Sequence, residues 1–174
     1  SGPGRTSTPT NDRVGRGGRW LRGWRGTHPL VGPGRACILT GKHSHRNGFY
    51  NNTNSRFDGA QVTFPKLLQQ AGYQTAMIGK WHLAKDSNIS AAGPKHSWPV
   101  QRGFERFYGF LDAFTNFHHP HRLVQDNMPL DTEQYPDGYY PTDDLTDRAL
   151  SMTRASKASA PSTPFFLHFA PGPG

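Results

Sequence analysis

One cysteine, Cys37, stands in 174 residues, which excludes an intramolecular disulfide. Apolar residues are scarce as well: they make up 33% of the chain, and the mean hydropathy is -0.74. No apolar run approaches the roughly 20 residues needed to cross a bilayer, so no membrane partner is expected. Glycine and proline are plentiful instead, with 20 and 15 residues, against an ordinary combined usage of about 12%. A chain of this length can bury one core. This composition is thin for a complete enzyme domain, so part of the chain is expected to be disordered or part of a larger domain to be missing. The first residue is Ser1 rather than Met, and a targeting signal cannot be judged, which leaves localisation open.

Acidic residues are few, 12 against 20 Lys and Arg, for a net charge of +8. The imbalance is concentrated at the start. Arg5, Arg13, Arg16, Arg19, Arg22 and Arg25 face only Asp12 within residues 1–30. The run Gly15-Arg16-Gly17-Gly18-Arg19-Trp20 has neither helical nor strand periodicity. Residues 1–26 are therefore expected to form a disordered Arg/Gly-rich segment. G/C-rich codons read in a shifted frame would account for its composition. Arginines interleaved with Trp20 and Trp24 also suggest an alternative function, nucleic-acid binding through a basic, stacking arm. No partner protein can be inferred.

Beyond residue 26 the pattern sharpens. Pro33 and Gly41 bracket Arg35 to Thr40 as a short helix, and residues 42–62 read as a loop. Phe64, Leu67, Leu68 and Ala71 fall on one helical face that Gly72 ends. Tyr73 to Ile78 is a buried strand candidate, and residues 84–102 form a second loop. Residues 103–110 are aromatic and bounded by glycine, with no clear element. Thr142 with Asp143 and Asp144 marks a helix start, and Leu145, Ala149 and Met152 mark its buried face. A linker over 159–163 leads to a second strand, Phe165 to Phe169. This order suits an α/β fold with a mostly parallel sheet.

In such folds, ligand groups gather beyond the carboxyl ends of strands and at helix amino ends. Arg35 lies at a helix start, while Lys80 and His82 follow a strand. A guanidinium, an ammonium and a proton-transfer group are what an oxyanion site needs. Alone, a Lys-x-His pair is more often a surface or core feature.

Together these segments resemble the type I sulfatase family, which opens its active site with Cys-x-Pro-Ser-Arg-Ala and a helix ending in Thr-Gly-Lys or Thr-Gly-Arg. The chain reads Val31-Gly32-Pro33-Gly34-Arg35-Ala36-Cys37-Ile38-Leu39-Thr40-Gly41-Lys42. His45 to Asn52, Phe64 to Leu83 with its Gly79-Lys80-Trp81-His82-Leu83 signature, and Ser90 to Pro94 follow in the family's order. So do Gly103 to Phe110, Asp143 to Ala149 and Pro164 to Gly172. Several of these are similar to segments of bacterial arylsulfatases, and the resemblance covers residues 27–174.

That resemblance implies a partial, incomplete sulfatase catalytic domain of the alkaline-phosphatase-like sandwich type. It implies sulfate ester hydrolysis, a calcium ion, and a motif cysteine or serine oxidised to formylglycine, whose aldehyde hydrate attacks sulfur. Arg35 matches the arginine that supports the nucleophile, Lys80 a lysine on the sulfate, and His82 a histidine bonded to the hydrate. Asn116 and Thr115 fall near a substrate-contacting position. Three departures matter. Val31 stands at the nucleophile position, where formylglycine cannot form, and Gly34 replaces the motif serine. Cys37 lies six residues on, roughly 9 Å along a helix, and reads as a small buried residue. Calcium ligands are largely absent: Asn11-Asp12 is a poor match for the family's upstream Asp-Asp pair, and Asp143 and Asp144 are explained by their helix start. His118, His119 and His121 read as a polar loop, and no metal ligand is assigned. The chain is expected to be impaired or inactive as it stands.

Overall fold

The computed structural model describes residues 9–18, 25–52, 57, 60–130 and 135–172. Its frame is a sheet in the order β4-β3-β2-β1-β5, made of β1 (Gln74–Lys80), β2 (Arg106–Phe110), β3 (Leu123–Gln125), β4 (Met128–Pro129) and β5 (Phe165–Ala170). β1 pairs in parallel with β2 and β5, while β3 and β4 extend the sheet antiparallel beyond β2. The expected mostly parallel α/β sheet is present. The β3–β4 hairpin, short, entered at left-handed Arg122 and turned at left-handed Asp126, carried no signal in the hydrophobic pattern.

Alternation along the strands divides two cores. Met77, Phe107 and Val124 join Ala36, Leu39, Trp81, Trp98 and Phe104 on one face. Ile78, Tyr108 and Leu123 face Leu145 and Ala149 on the other. The first face is covered by α2 (Val31–Thr40), α4 (Phe64–Gln70) and the segment 84–102, and the second by α5 (Pro141–Ser159). That segment reads as a loop in the sequence, yet it belongs to the core. Trp98 is fully buried, and its indole N–H donates to the Asn88 carbonyl at 2.7 Å. Trp81 donates likewise to the Ser97 carbonyl at 2.8 Å. Each buried indole thus satisfies its one donor while burying a large apolar surface.

Several element boundaries differ from expectation. β1 runs on to Lys80, because Gly79 lets its parallel neighbours close up. A Cβ on Gly79 would stand 2.1 Å from the Ala170 carbonyl oxygen, and its φ of 107° suits glycine. Residues 103–110 resolve into β2, α3 (Ser44–Asn47) interrupts the loop over 42–62, and α5 extends to Ser159 at the expense of the linker. α4 buries Pro65 but leaves Leu67 54% exposed and Ala71 exposed. Its predicted apolar face is thus only partly used: Phe64 packs edge-on against Phe166, while more than half of Leu67 stays exposed.

The largest correction is at the start. Pro9–Gly17 forms helix α1, where disorder was expected. Its first residue is proline, Asp12 lies in its first turn and Arg16 in its last, which suits the helix dipole despite the weak apolar pattern. Residues 1–8 and 19–24, including Trp20 and Trp24, lie outside the described residues.

Candidate active site

The amino end of α2 abuts the carboxyl end of β1. Gly32 makes this approach: its N–H donates to Asn52 Oδ1 at 3.0 Å. A Cβ there would meet Phe49 at 2.8 Å and Asn52 Oδ1 at 2.9 Å, with the His82 carbonyl oxygen 3.5 Å away. One turn later, Arg35 Nη1 donates to the Lys80 carbonyl at 2.6 Å. Arg35, Lys80 and His82, singled out separately in the sequence, therefore converge where a helix amino end meets a strand carboxyl end.

Parallel pairing carries on past the strand and fixes this turn. The Trp81 N–H donates to the Phe110 carbonyl at 3.0 Å and the His82 N–H to the Leu111 carbonyl at 3.2 Å. His82 sits at a φ of 55°, a left-handed conformation uncommon outside glycine, of a kind that recurs at functional sites. Its Nδ1 and Arg35 Nε are buried and have no hydrogen-bond partner among the described residues. Buried polar atoms are normally paired, and these two belong to groups that a bound oxyanion could satisfy.

Positive charge gathers here with little to offset it. Burial lowers the Arg35 pKa. Burial, and then the neighbouring Arg35, lower that of Lys80. His82 falls to about 4 through burial, then Lys80, then Arg35, with Asp86 opposing. The ion pairs among the described residues, Arg106–Asp126, Arg122–Asp112 and Arg148–Asp144, involve none of the three. Such a cluster favours a ligand that brings negative charge.

Val31 is the first residue of α2 and 44% exposed. With Arg35 and His168 it lines a cleft of about 400 Å³ whose other walls include Leu30, Ile38, Trp81 and Phe169. A larger cavity of about 560 Å³ lies between α5 and the starts of the strands, and none of the predicted site residues line it. Cys37 is buried, its Sγ 3.5 Å from Ser44 Oγ. Thr115 and Asn116 lie in the loop after β2. Asn116 Oδ1 accepts the His118 and His119 N–H groups at 2.8 and 2.9 Å, so it shapes that loop, while Thr115 Oγ1 is buried without a partner among the described residues.

The donor set does not fit a calcium ion. Among the described residues, no three His, Cys, Asp or Glu side chains gather as a metal cluster. Asp144 Oδ2 accepts from Tyr108 at 2.6 Å and Tyr139 at 2.8 Å, and its other oxygen faces Arg148. That carboxylate is committed to the start of α5, as its sequence position implies.

Sequence reasoning missed two neighbours of the site. His168, on β5, is electrostatically coupled to Arg35 and held below its ordinary pKa, first by burial. Strand alternation with Phe166 was the signal that could have placed it on the inner face. Phe114 lies against Lys80, with Nζ 5.3 Å from its ring centroid, and no periodicity could have revealed that loop contact.

Comparison with known proteins gives this geometry its context. The sulfatase family model matches residues 1–172. An N-acetylglucosamine-6-O-sulfatase of Bacteroides thetaiotaomicron is 38% identical over 164 residues, 94% of this chain and 26% of that protein. The uncharacterized sulfatase YdeN of Escherichia coli is 34% identical over 183 residues, 94% of this chain and 31% of its own length. The solved structure of BT4656 with its substrate D-glucosamine-2-N,6-O-disulfate superposes with a TM-score of 0.60 at 38% identity, covering 82% of this chain and 25% of that one. Ps i-CgsB superposes at 0.69 with 25% identity, covering 84% and 35%. The chain thus spans about a quarter to a third of these relatives and forms part of an alkaline-phosphatase-like domain. The nucleic-acid alternative gains no support from these matches. With a match running through nearly its whole length, this chain belongs to the sulfatase family.

Proposed function

We propose that this chain carries the sulfate-facing part of a sulfatase-type hydrolytic site and that it does not turn substrate over as it stands. The observation that carries the reading is the convergence of Arg35, Lys80 and His82 at the amino end of α2, with Val31 in the nucleophile's place. Lys80 contacts the sulfate oxygens. Arg35, anchored on the Lys80 carbonyl, supports the nucleophile position at Val31, and His82 faces the place where an aldehyde hydrate would stand. Thr115, whose hydroxyl lacks a partner among the described residues, is a weaker substrate contact, and Asn116 acts by shaping its loop. Sulfate esters are the ligand class. The sulfated-sugar activity named for the Bacteroides relative supports that class.

Turnover fails at one side chain. The family's chemistry needs an oxidisable heteroatom at position 31, and the isopropyl group of Val31 offers none. Oxyanion stabilisation survives, but it has no attacking group to assist. The test is release of nitrophenol from nitrophenyl sulfate by the purified chain with calcium present, alongside calorimetric binding of inorganic sulfate. Expected are background release and sulfate binding that weakens at least tenfold in Lys80→Ala. Release above background that disappears in Lys80→Ala or His82→Ala would overturn the inactive reading. Sulfate binding indifferent to Lys80 would overturn the site itself.

A further inference from the structure

Phe114 is the most exposed large apolar side chain among the described residues, at 84% of its surface. It lies four residues past the end of β2, at the same carboxyl edge of the sheet as Lys80 and His82. Lys80 is itself only 5% exposed, and its ammonium stands 5.3 Å from the centre of the Phe114 ring. That contact is a cation–π attraction. It explains where the ring stands but not why so much of it faces water, since a phenyl group that served only Lys80 would be more stable covered. The loop that presents the ring is fixed just beyond it by the two N–H bonds to Asn116 Oδ1.

We propose that Phe114 is a specificity-determining residue: an aromatic platform for the ring of a cyclic sulfate ester whose sulfate is held at Lys80. This rests on the sulfate-site reading given above. The geometry follows from short bond lengths. In an ester, the carbon bearing the sulfate is two bonds from sulfur, so a sulfate on the Lys80 ammonium places the alcohol's first atoms beside the ring that lies against that ammonium. Ring centroids stack at about 4.5–7 Å, a spacing that an aryl or pyranose ring on this ester can reach. The ligand feature recognised is an apolar ring face. An aryl ring and a sugar both supply one, and an open alkyl chain does not.

The test uses the full chain and three probes, phenyl sulfate, glucose 6-sulfate and methyl sulfate, with dissociation constants measured by calorimetry. The unmodified chain is expected to bind at least one cyclic ester about two- to tenfold more tightly than methyl sulfate, the range expected for one ring–ring contact. In Phe114→Ala that ratio collapses to near one, and in Phe114→Tyr it is kept. A preference for phenyl sulfate alone identifies an aryl ligand, and for glucose 6-sulfate alone a sugar; either supports the platform. Equal affinity for all three probes, or a ring preference that survives Phe114→Ala, overturns it while leaving the sulfate site standing. Methyl sulfate binding that is absent, or unchanged in Lys80→Ala, instead sinks the sulfate reading and the platform with it. Phe114 is exposed, so its replacement removes no core contact, and the circular dichroism of each variant confirms equal folding.

Discussion

Val31 and His82 carry side chains that decide different things. At position 31 the loss is chemical, since no rearrangement of neighbours gives a hydrocarbon a lone pair. At His82 the chemistry persists, but its charge state is set by burial and by Lys80 and Arg35, which hold its pKa near 4 against an ordinary 6.5. The imidazole is therefore neutral at pH 7 and able to accept a hydrogen bond. As pH falls, the unfolded chain takes up this proton first, between 6.5 and 4. Stability is thus fully present above pH 6.5 and lost as pH drops toward 4, by about 1–2 kcal/mol once solvent screening of a half-exposed group is allowed for. His168, also depressed, adds in the same direction. His82→Asn should flatten the fall in melting temperature between pH 7 and pH 4. An unchanged slope would show that His82 titrates normally.

Among the elements, the contact between β1 and β5 sets the site's geometry, because β1 delivers Lys80 and β5 delivers His168. Gly79 is its weakest point. A methyl group there would collide with the Ala170 carbonyl, and the positive φ already costs an L side chain about 1–2 kcal/mol. Gly79→Ala is expected to cost at least about 2 kcal/mol in urea denaturation. A loss under about 0.5 kcal/mol would mean that the strands can part without penalty. Much of this layer was legible beforehand. Apolar runs gave β1 and β5, proline and glycine punctuation gave α2, and the acidic first turn at Asp143 and Asp144 gave α5. What escaped had physical reasons. β2 is short, with a glycine inside it. The core role of 84–102 depends on two tryptophans whose partners are carbonyls, and α1 has dipole-matching ends but little apolar pattern. Arg35, Lys80 and His82 were each legible, but their meeting depends on the close approach that Gly32 permits, a tertiary fact.

For the molecule as a whole, the sheet's asymmetry matters most. β5 is an edge strand that pairs on one side with β1. It leaves Phe165 37% and Phe169 42% exposed, and beside it the cleft walls formed by Leu30, Val31 and Ile38 are 42%, 44% and 57% exposed. A parallel edge strand flanked by apolar surface offers an unpaired row of N–H and C=O groups to any extended chain, and parallel strands are otherwise found buried. No charged side chain lies on β5 itself, whose sequence is Phe165-Phe166-Leu167-His168-Phe169-Ala170, so nothing on the strand discourages pairing. The chain on its own is therefore expected to associate through this edge. In sedimentation velocity, its weight-average mass should rise with concentration, and its thermal transition should be broad. Phe169→Lys places a charge on the edge and should shift the distribution toward monomer without altering β1–β2 pairing, checked by hydrogen exchange at Met77 and Ile78. A monomer with a sharp melt across the same concentrations would show that the edge is already protected, and a Phe169→Lys variant that associates as strongly as the parent would place the sticky surface elsewhere.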